Sequence, residues 1–159
     1  MEIRPYQASD AAGLADIWLA ASLQAHAFIP AAYWQAETQR MRDEYLPQSE
    51  NLVLVGDDGS AQGFISLIGR HIAALFVHPS AQGKGYGSAL LRRAQQLHDK
   101  LTLNVYEKNN DSVHFYQYHG FSISTRGIDP ATGEAELRMR WQQEDRERSP
   151  RRLTSPVRS

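Results

Sequence analysis

The sequence has no cysteine among its 159 residues. Disulfide bonds, thiolate nucleophiles and metal sites with cysteine ligands are therefore excluded. A chain without cysteine suits a reducing compartment, so we expect a cytoplasmic location.

An excess of positive charge and long apolar runs are missing too. The 17 Lys and Arg are balanced by 18 Asp and Glu, so no overall basic field would attract nucleic acid. No apolar run approaches the roughly 20 residues of a membrane span. The first ten residues, MEIRPYQASD, lack the basic and apolar regions of a signal peptide. We therefore expect neither a nucleic-acid partner nor a membrane.

The composition that remains is typical of a globular domain, with 42% hydrophobic residues. After Trp141 it changes to QQEDRERSPRRLTSPVRS, which mixes charge, serine and proline. Such a segment cannot bury enough apolar surface to fold. We predict one domain over residues 1–141 and a disordered tail over residues 142–159.

Hydrophobic periodicity predicts a mixed α/β chain. The predicted helices cover about residues 10–25, 30–46, 88–98 and 109–119, and the second begins at Pro30 and is stopped by Pro47. The predicted strands cover residues 2–5, 51–55, 62–68, 71–77, 101–106, 121–127 and 136–141. The inward-facing residues are predicted to include Leu14, Ile17, Trp18, Ala21 and Ala25 in the first helix, and Leu90, Leu91, Ala94 and Leu97 in the third.

A glycine-rich loop separates the strand at 71–77 from the helix at 88–98. Its glycines, Gly83, Gly85 and Gly87, allow close approach of the backbone to a bulky anion. Successive backbone N–H groups and the positive end of the helix dipole would then face that anion. The loop is a candidate phosphate cradle.

Two known phosphate loops fit it poorly. A P-loop has Ser or Thr after Gly-Lys, whereas Lys84 is followed by Gly85. A dinucleotide fingerprint GxGxxG would need its third glycine at Ser88 and a tight turn after the strand, but five residues precede Gly83. The nicotinamide-binding reading is therefore disfavoured.

Two linked motifs carry a resemblance to the GNAT N-acetyltransferase superfamily. Gln82-x-x-Gly85-x-Gly87 resembles its pyrophosphate loop Q/R-x-x-G-x-G/A, and residues 75–79, LFVHP, resemble the L-x-V-x-P strand end before it. Residues 109–121, NNDSVHFYQYHGF, resemble N-x-x-A-x-x-F-Y-x-x-x-G-F, with Ser112 in place of alanine. Residues 26–29 and 33–34 resemble small bacterial members that acetylate protein lysines or small amines.

The resemblance implies an acyl-coenzyme A N-acyltransferase fold. Its central twisted sheet is mostly antiparallel, about four helices flank it, and two parallel strands, here 71–77 and 101–106, splay apart. It implies an enzyme that transfers acetyl from acetyl-coenzyme A to a primary amine, on a protein lysine or a small molecule, by direct attack in a ternary complex. A catalytically silent acyl-coenzyme A sensor is the alternative.

The resemblance also assigns residues to the cofactor. The backbone N–H of Val77 would stabilise the thioester oxyanion, and Asn109 would both cap its helix and bind the pantetheine arm. Tyr116 would be the general acid, because a phenol of pKa about 10 is not ionised at neutral pH and can donate to the leaving coenzyme A thiolate, whose thiol pKa is about 8.5. The predicted cofactor-binding residues are Leu75, Phe76, Val77, Gln82, Gly83, Lys84, Gly85, Tyr86, Gly87, Ser88, Asn109 and Tyr116.

The general base is open. His71 is one candidate, because strand alternation places it on the face of Ala73, Leu75 and Val77. Glu107 is another, and proton loss through a water chain is a third possibility. The predicted acceptor-binding residues are His26, Phe28, Tyr33 and Glu107.

The remaining histidines, at 78, 98, 114 and 119, have no metal-ligand spacing, so we predict no metal. Exposed late strands make a homodimer possible.

Overall fold

Four antiparallel strands form the sheet of an N-terminal unit. The computed structural model describes residues 1–143, which divide into the unit Met1–Ala94 and a second unit that starts at Gln95. Strands β1 (Glu2–Pro5), β2 (Glu50–Val55), β3 (Ala61–Ile68) and β4 (His71–Val77) follow one another in the sheet in chain order. Val53, Phe64 and Ile65 are completely buried, and because Phe64 and Ile65 are consecutive, β3 is covered on both of its faces.

Helices α1 (Ala11–Ala25), α2 (Ala31–Arg40) and α3 (Leu46–Gln48) also belong to this unit. A short 3₁₀ turn, Ala8–Asp10, precedes α1, and a second, Pro79–Ala81, follows β4. The loop after it leads into α4 (Tyr86–Leu97), which crosses into the second unit.

In the second unit, strand β7 lies between β5 and β6. The strands are β5 (Lys100–Tyr106), β6 (Ser122–Ile128) and β7 (Ala135–Gln142), and both pairings are antiparallel. Helix α5 (Asn110–Tyr118) connects β5 to β6. Met139 and Trp141 are among the buried core residues, because inward positions alternate along β7.

The predicted elements are all present in residues 1–143, with ends that shift by one or two residues. The predicted tail lies outside the described residues, apart from Gln142, which ends β7, and Gln143. Two predicted inward positions are wrong: Ala25 is exposed and Leu97 is 57% exposed. Both are the last residues of their helices. The hydrophobic spacing includes them, but the helix end is no longer covered by neighbouring elements.

The second predicted helix differs from expectation at both ends. Pro30 precedes α2 as its N-cap and is not its first helical residue. Pro47 does not stop the helix, which continues to Gln48 through a π-helical turn over Met41–Tyr45, marked by the bond from the Leu46 N–H to the Met41 carbonyl. In a regular helix the Pro47 ring would clash with the carbonyl four residues earlier. The wider turn removes that conflict.

Candidate functional site

A β-bulge interrupts the pairing of β3 and β4. Ser66 lies opposite Ala74 and Leu67 lies opposite Ile72, so Ala73 is an extra residue on β4. A bulge redirects side chains, because the alternation of faces changes on passing it. Residues of β4 before and after the bulge therefore follow different alternations of the two sheet faces.

The bulge overturns the predicted orientation of His71. His71 lies opposite Ile68, on the ladder face of Ser66 and Ala74. Simple alternation along the strand predicts that His71 lies on the same face as Leu75 and Val77. That prediction is wrong, because the extra residue, Ala73, moves His71 to the opposite face.

A cavity of about 310 Å³ lies against the face of the sheet that carries Ser66. Strands β3 and β4 contribute Ser66, Ile68, Ala73 and Ala74 to its wall. The helical side contributes Trp18, Tyr33, Glu37, Met41, Tyr45, Gln48 and Ser49. The volume is at the lower end of the range for small-ligand pockets.

Four of the helical wall residues recur at every fourth position: Tyr33, Glu37, Met41 and Tyr45. In a regular α-helix each four-residue step turns about 40° beyond a full circle, so such a row would drift away from the cavity. The π-helical turn carries more residues per turn. It therefore limits the drift and keeps Tyr45 in the cavity wall.

Aromatic rings support this wall from behind. The His26 ring lies 5.1 Å from that of Trp34. Trp34 in turn contacts Trp18 at 5.5 Å and Tyr33 at 4.9 Å between ring centroids. His26 is buried, and burial lowers its pKa to about 4, so the ring is neutral at neutral pH. Of the predicted acceptor residues, Tyr33 lines the cavity, while His26 and Phe28 do not.

The backbone N–H of Val77 points away from β3. The His78 N–H donates to the Gln62 carbonyl at 2.8 Å, so the next pair, Val77 with Gly63, is a non-hydrogen-bonded pair. Leu75, Phe76 and Val77 are only half-buried although they are apolar residues of a strand.

Gly63 permits the close approach of β3 at this point. A Cβ on Gly63 would lie 2.9 Å from the Phe76 carbonyl oxygen and 3.2 Å from a Val77 methyl. Gly63 is a site residue that sequence reasoning missed. Its signal was a glycine inside a strand.

The glycine loop has the backbone of a cradle. Gly83 and Gly85 have φ of +83° and +80°, and neither has an atom within 4 Å of a built Cβ. The space above the backbone is therefore open, as a bulky anion requires. Helix α4 begins at Tyr86, so the N–H groups of its first turn lie at the end of the loop.

Gln82 closes the loop at its other end. Its side-chain amide lies 3.4 Å from the Val77 carbonyl, and His78 caps the preceding 3₁₀ turn by accepting from the Ser80 N–H at 3.1 Å. The predicted cradle residues of this unit, from Gln82 to Ser88, thus follow the 3₁₀ turn after β4 as one loop and the first turn of α4.

In the second unit, Asn109 caps α5, and its side-chain oxygen accepts from the Ser112 N–H at 3.3 Å. Tyr116 is buried on the same helix between Phe115 and Phe121, with ring centroids at 5.2 and 5.6 Å. Burial raises the pKa of its phenol, so Tyr116 remains protonated at neutral pH. The Glu107 carboxylate accepts from the Arg126 guanidinium.

In residues 1–143 no group of three or more metal-ligating side chains is assembled. Of the helices in the same range, none has the length and apolarity to cross a membrane.

The chain is similar to known acetyltransferases. A family model described as an acetyltransferase (GNAT) domain matches residues 48–123. Peptidyl-lysine N-acetyltransferase YiaC of Escherichia coli (strain K12) is 41% identical over 122 residues, which cover 76% of this chain and 83% of YiaC. The chain belongs to the GNAT acetyltransferase family.

Solved structures agree with this family. The solution structure of apo YjaB from Escherichia coli has a TM-score of 0.79 and 30% identity, and covers 88% of this chain and 96% of YjaB. The PaiA N-acetyltransferase of Thermoplasma acidophilum, solved with coenzyme A, has the same fold, with a TM-score of 0.75 and 19% identity over 89% of this chain and 98% of PaiA. The predicted mixed α/β acyltransferase fold is confirmed.

The family membership establishes the reaction class. This GNAT protein is an N-acetyltransferase, as predicted, and moves the acetyl group of acetyl-coenzyme A to an amine. Acetyl-coenzyme A is its cosubstrate.

Proposed function

We propose that this enzyme acetylates the ε-amino group of lysine in proteins or peptides. The observation that carries the proposal is its 41% identity with YiaC, which is named a peptidyl-lysine N-acetyltransferase. The cavity supports it, because aromatic and apolar walls suit the alkyl chain of lysine and one carboxylate, Glu37, suits its ammonium.

In this proposal residues 82–88 bind the pyrophosphate of acetyl-coenzyme A. The positive φ of Gly83 and Gly85 and the first turn of α4 support the assignment. Lys84 and Tyr86 flank the loop, with the ammonium 6.0 Å from the ring centroid. Leu75 and Phe76 carry the neighbouring apolar contacts, and Asn109 binds the pantetheine arm.

The Val77 N–H is the proposed oxyanion donor. Its direction away from β3 means that β3 does not provide its acceptor, which supports the assignment. As the amine attacks the thioester carbonyl, the oxygen gains negative charge, and a fixed donor stabilises that charge at little reorganisation cost.

Tyr116 is the proposed general acid and His71 the proposed base. Tyr116 is un-ionised at neutral pH and would donate its phenolic proton to the coenzyme A sulfur as the thiolate leaves. His71 does not line the cavity, but it lies on the ladder face that carries the cavity and opposite Ile68 of the wall, which supports its assignment as the group that takes a proton from the acceptor ammonium. The amine then attacks directly in a ternary complex, with no acyl-enzyme.

Tyr33, which lines the cavity, is assigned direct contact with the acceptor. His26 and Phe28 are assigned an indirect role, because they support the aromatic wall. The His26 and Phe28 rings are 5.9 Å apart, and His26 contacts Trp34 behind Tyr33. Glu107, paired with Arg126, belongs to the second unit and is assigned a part in acceptor binding there.

The decisive experiment measures thiol release from acetyl-coenzyme A with matched acceptors. One peptide carries an internal lysine and a blocked N-terminus, the second carries a free N-terminus and no lysine, and the third acceptor is a small diamine. We expect turnover mainly with the lysine peptide, with the product located by mass spectrometry. Turnover restricted to the N-terminus or to the diamine would contradict the proposal.

Two further parts of the proposal concern setting and assembly. We propose a cytoplasmic location, supported by the absence of cysteine, which cell fractionation tests.

We also propose a homodimer through β6, which in residues 1–143 pairs with β7 alone and exposes Ile123 and Ile128. Light scattering tests it, and a monomer at micromolar concentration would contradict it. Nucleic acid and membranes are not proposed partners.

A further inference from the structure

Among residues 1–143, Glu37 is the one charged side chain in the wall of the cavity. Its side chain is 20% exposed, and the surrounding wall includes the rings of Trp18, Tyr33 and Tyr45. A carboxylate among aromatic faces is chemically matched to an alkylammonium group, which gains an ion pair and cation–π contacts together.

Within residues 1–143, the cation that contacts Glu37 is Arg40. Arg40 approaches both carboxylate oxygens at 3.5 Å, which is long for a charge-assisted hydrogen bond. The same guanidinium lies 5.3 Å from the Tyr45 ring centroid and 3.4 Å from the Glu44 carboxylate. Arg40 is 53% exposed, so solvent weakens these interactions.

These contacts place Arg40 on two residues of the cavity wall, Glu37 and Tyr45. Arg40 therefore presents a cation to Glu37 and Tyr45, as a lysine ammonium would. It does so from outside the cavity, and its distances to the Glu37 oxygens are long. Glu44 provides Arg40 with a second carboxylate that is not part of the wall. Arg40 can keep this partner after it releases Glu37.

We propose that Glu37 recognises the ammonium of the acceptor and that Arg40 competes for Glu37 in the free enzyme. This inference rests on the proposed function, because it assigns the acceptor amine to the cavity. It makes Glu37 a specificity residue that selects cationic acceptors. Glu37 acts on binding, since the ammonium must lose its proton before it attacks.

The test is calorimetric binding to enzyme saturated with coenzyme A, which cannot react. The probes are two end-blocked tripeptides, Gly-Lys-Gly and Gly-norleucine-Gly, which differ in the ammonium group. We expect the native enzyme to prefer the lysine peptide and E37Q to lose about tenfold in affinity for it, with norleucine binding unchanged. Because the glutamine is nearly isosteric, the fold should be retained.

E44Q is the matched control, since it removes the same charge from the other partner of Arg40 but lies outside the wall. Its affinity for the lysine peptide should fall by no more than about twofold, because Glu37 remains and Arg40 only loses its alternative partner. R40Q should bind that peptide about twofold to fivefold more tightly, because a competing exposed cation is removed.

Equal affinity of E37Q and the native enzyme for the lysine peptide, or equal binding of both peptides by the native enzyme, would overturn the role of Glu37. Weaker binding by R40Q would overturn the competition. Lysine-selective binding that depends on Glu37 but gives no turnover with any lysine acceptor would support Glu37 and contradict the proposed function.

Discussion

His71 lies opposite Ile68 in the ladder between β3 and β4, and Ile68 is part of the cavity wall. We expect His71→Gln to lower kcat/KM for the amine by about 100-fold, because the proton acceptor is lost. The fall of kcat/KM towards acidic pH should also become shallower in the variant. Steady-state rates from pH 6 to pH 9 check both effects.

The matched control is His114→Gln, which changes an exposed histidine on α5 and should leave the profile unaltered. A native pH profile for His71→Gln would exclude His71 as the base and favour proton loss through water.

Tyr116→Phe should lower kcat by about 100-fold and leave acetyl-coenzyme A affinity nearly unchanged. The physical reason is that phenylalanine has no hydroxyl to donate a proton to the leaving thiolate. Stopped-flow thiol release measures the rate and calorimetry measures the affinity. Tyr118→Phe, on the same helix but 82% exposed, should behave as the native enzyme. Unchanged turnover in Tyr116→Phe would remove it from the mechanism.

Gly85→Ala should weaken coenzyme A binding about tenfold or more, because a Cβ would occupy the space into which the pyrophosphate must fit. The substitution also strains a backbone with φ of +80°. Gly59→Ala separates the two effects, because Gly59 has φ of +84° and equally open surroundings in the turn between β2 and β3. Both variants should lose similar stability in thermal unfolding. Equal coenzyme A affinity in the two would contradict the cradle.

Gly63→Ala should destabilise the enzyme by about 1–3 kcal/mol, because the new Cβ would meet a backbone oxygen at 2.9 Å and not a flexible side chain. Relief of the clash requires β3 and β4 to separate beside Val77. Denaturant unfolding measures the stability. Gly13→Ala, at a helical position with open space around the built Cβ, is the control that should be neutral or stabilising. Native stability in Gly63→Ala would mean that the strands separate at little cost.

His26 should make stability depend on pH. Burial lowers its pKa to about 4, below the ordinary value of about 6.5 expected in the unfolded chain. Between these pH values the unfolded chain binds more protons, so the free energy of unfolding decreases as the pH falls from about 6.5 to about 4. The full effect is at most roughly 3 kcal/mol.

His26→Phe should reduce the difference in unfolding free energy between pH 7 and pH 5, whatever its absolute stability. His114→Phe, at an exposed position, should not. Parallel pH dependence in His26→Phe and the native enzyme would show that His26 is not the titrating group.

Local sequence signals were sufficient for much of the fold. Strand β4 begins and ends at the predicted residues, His71 and Val77, because its apolar run is bounded by turn signals. The π-helical turn was not predictable from hydrophobic periodicity. Met41 and Tyr45 are four residues apart in the sequence, and that spacing is compatible with an α-helix as well as with a π-helix. Glu37 also escaped prediction, since nothing in the order of residues places it opposite Ser66 and Ile68 in one cavity.

By itself, the sequence determined that this protein is a GNAT acetyltransferase with a glycine-rich loop before α4 and a tyrosine on α5. Those features depend on short-range chemistry: glycine where φ is positive, an N-cap before a helix, and motifs of fixed spacing. Only the tertiary structure decided which residues face the cavity. A bulge at Ala73, which arises from the pairing of β4 with β3, reverses the faces of β4. A π-helical turn before Pro47 keeps Tyr45 in the cavity wall.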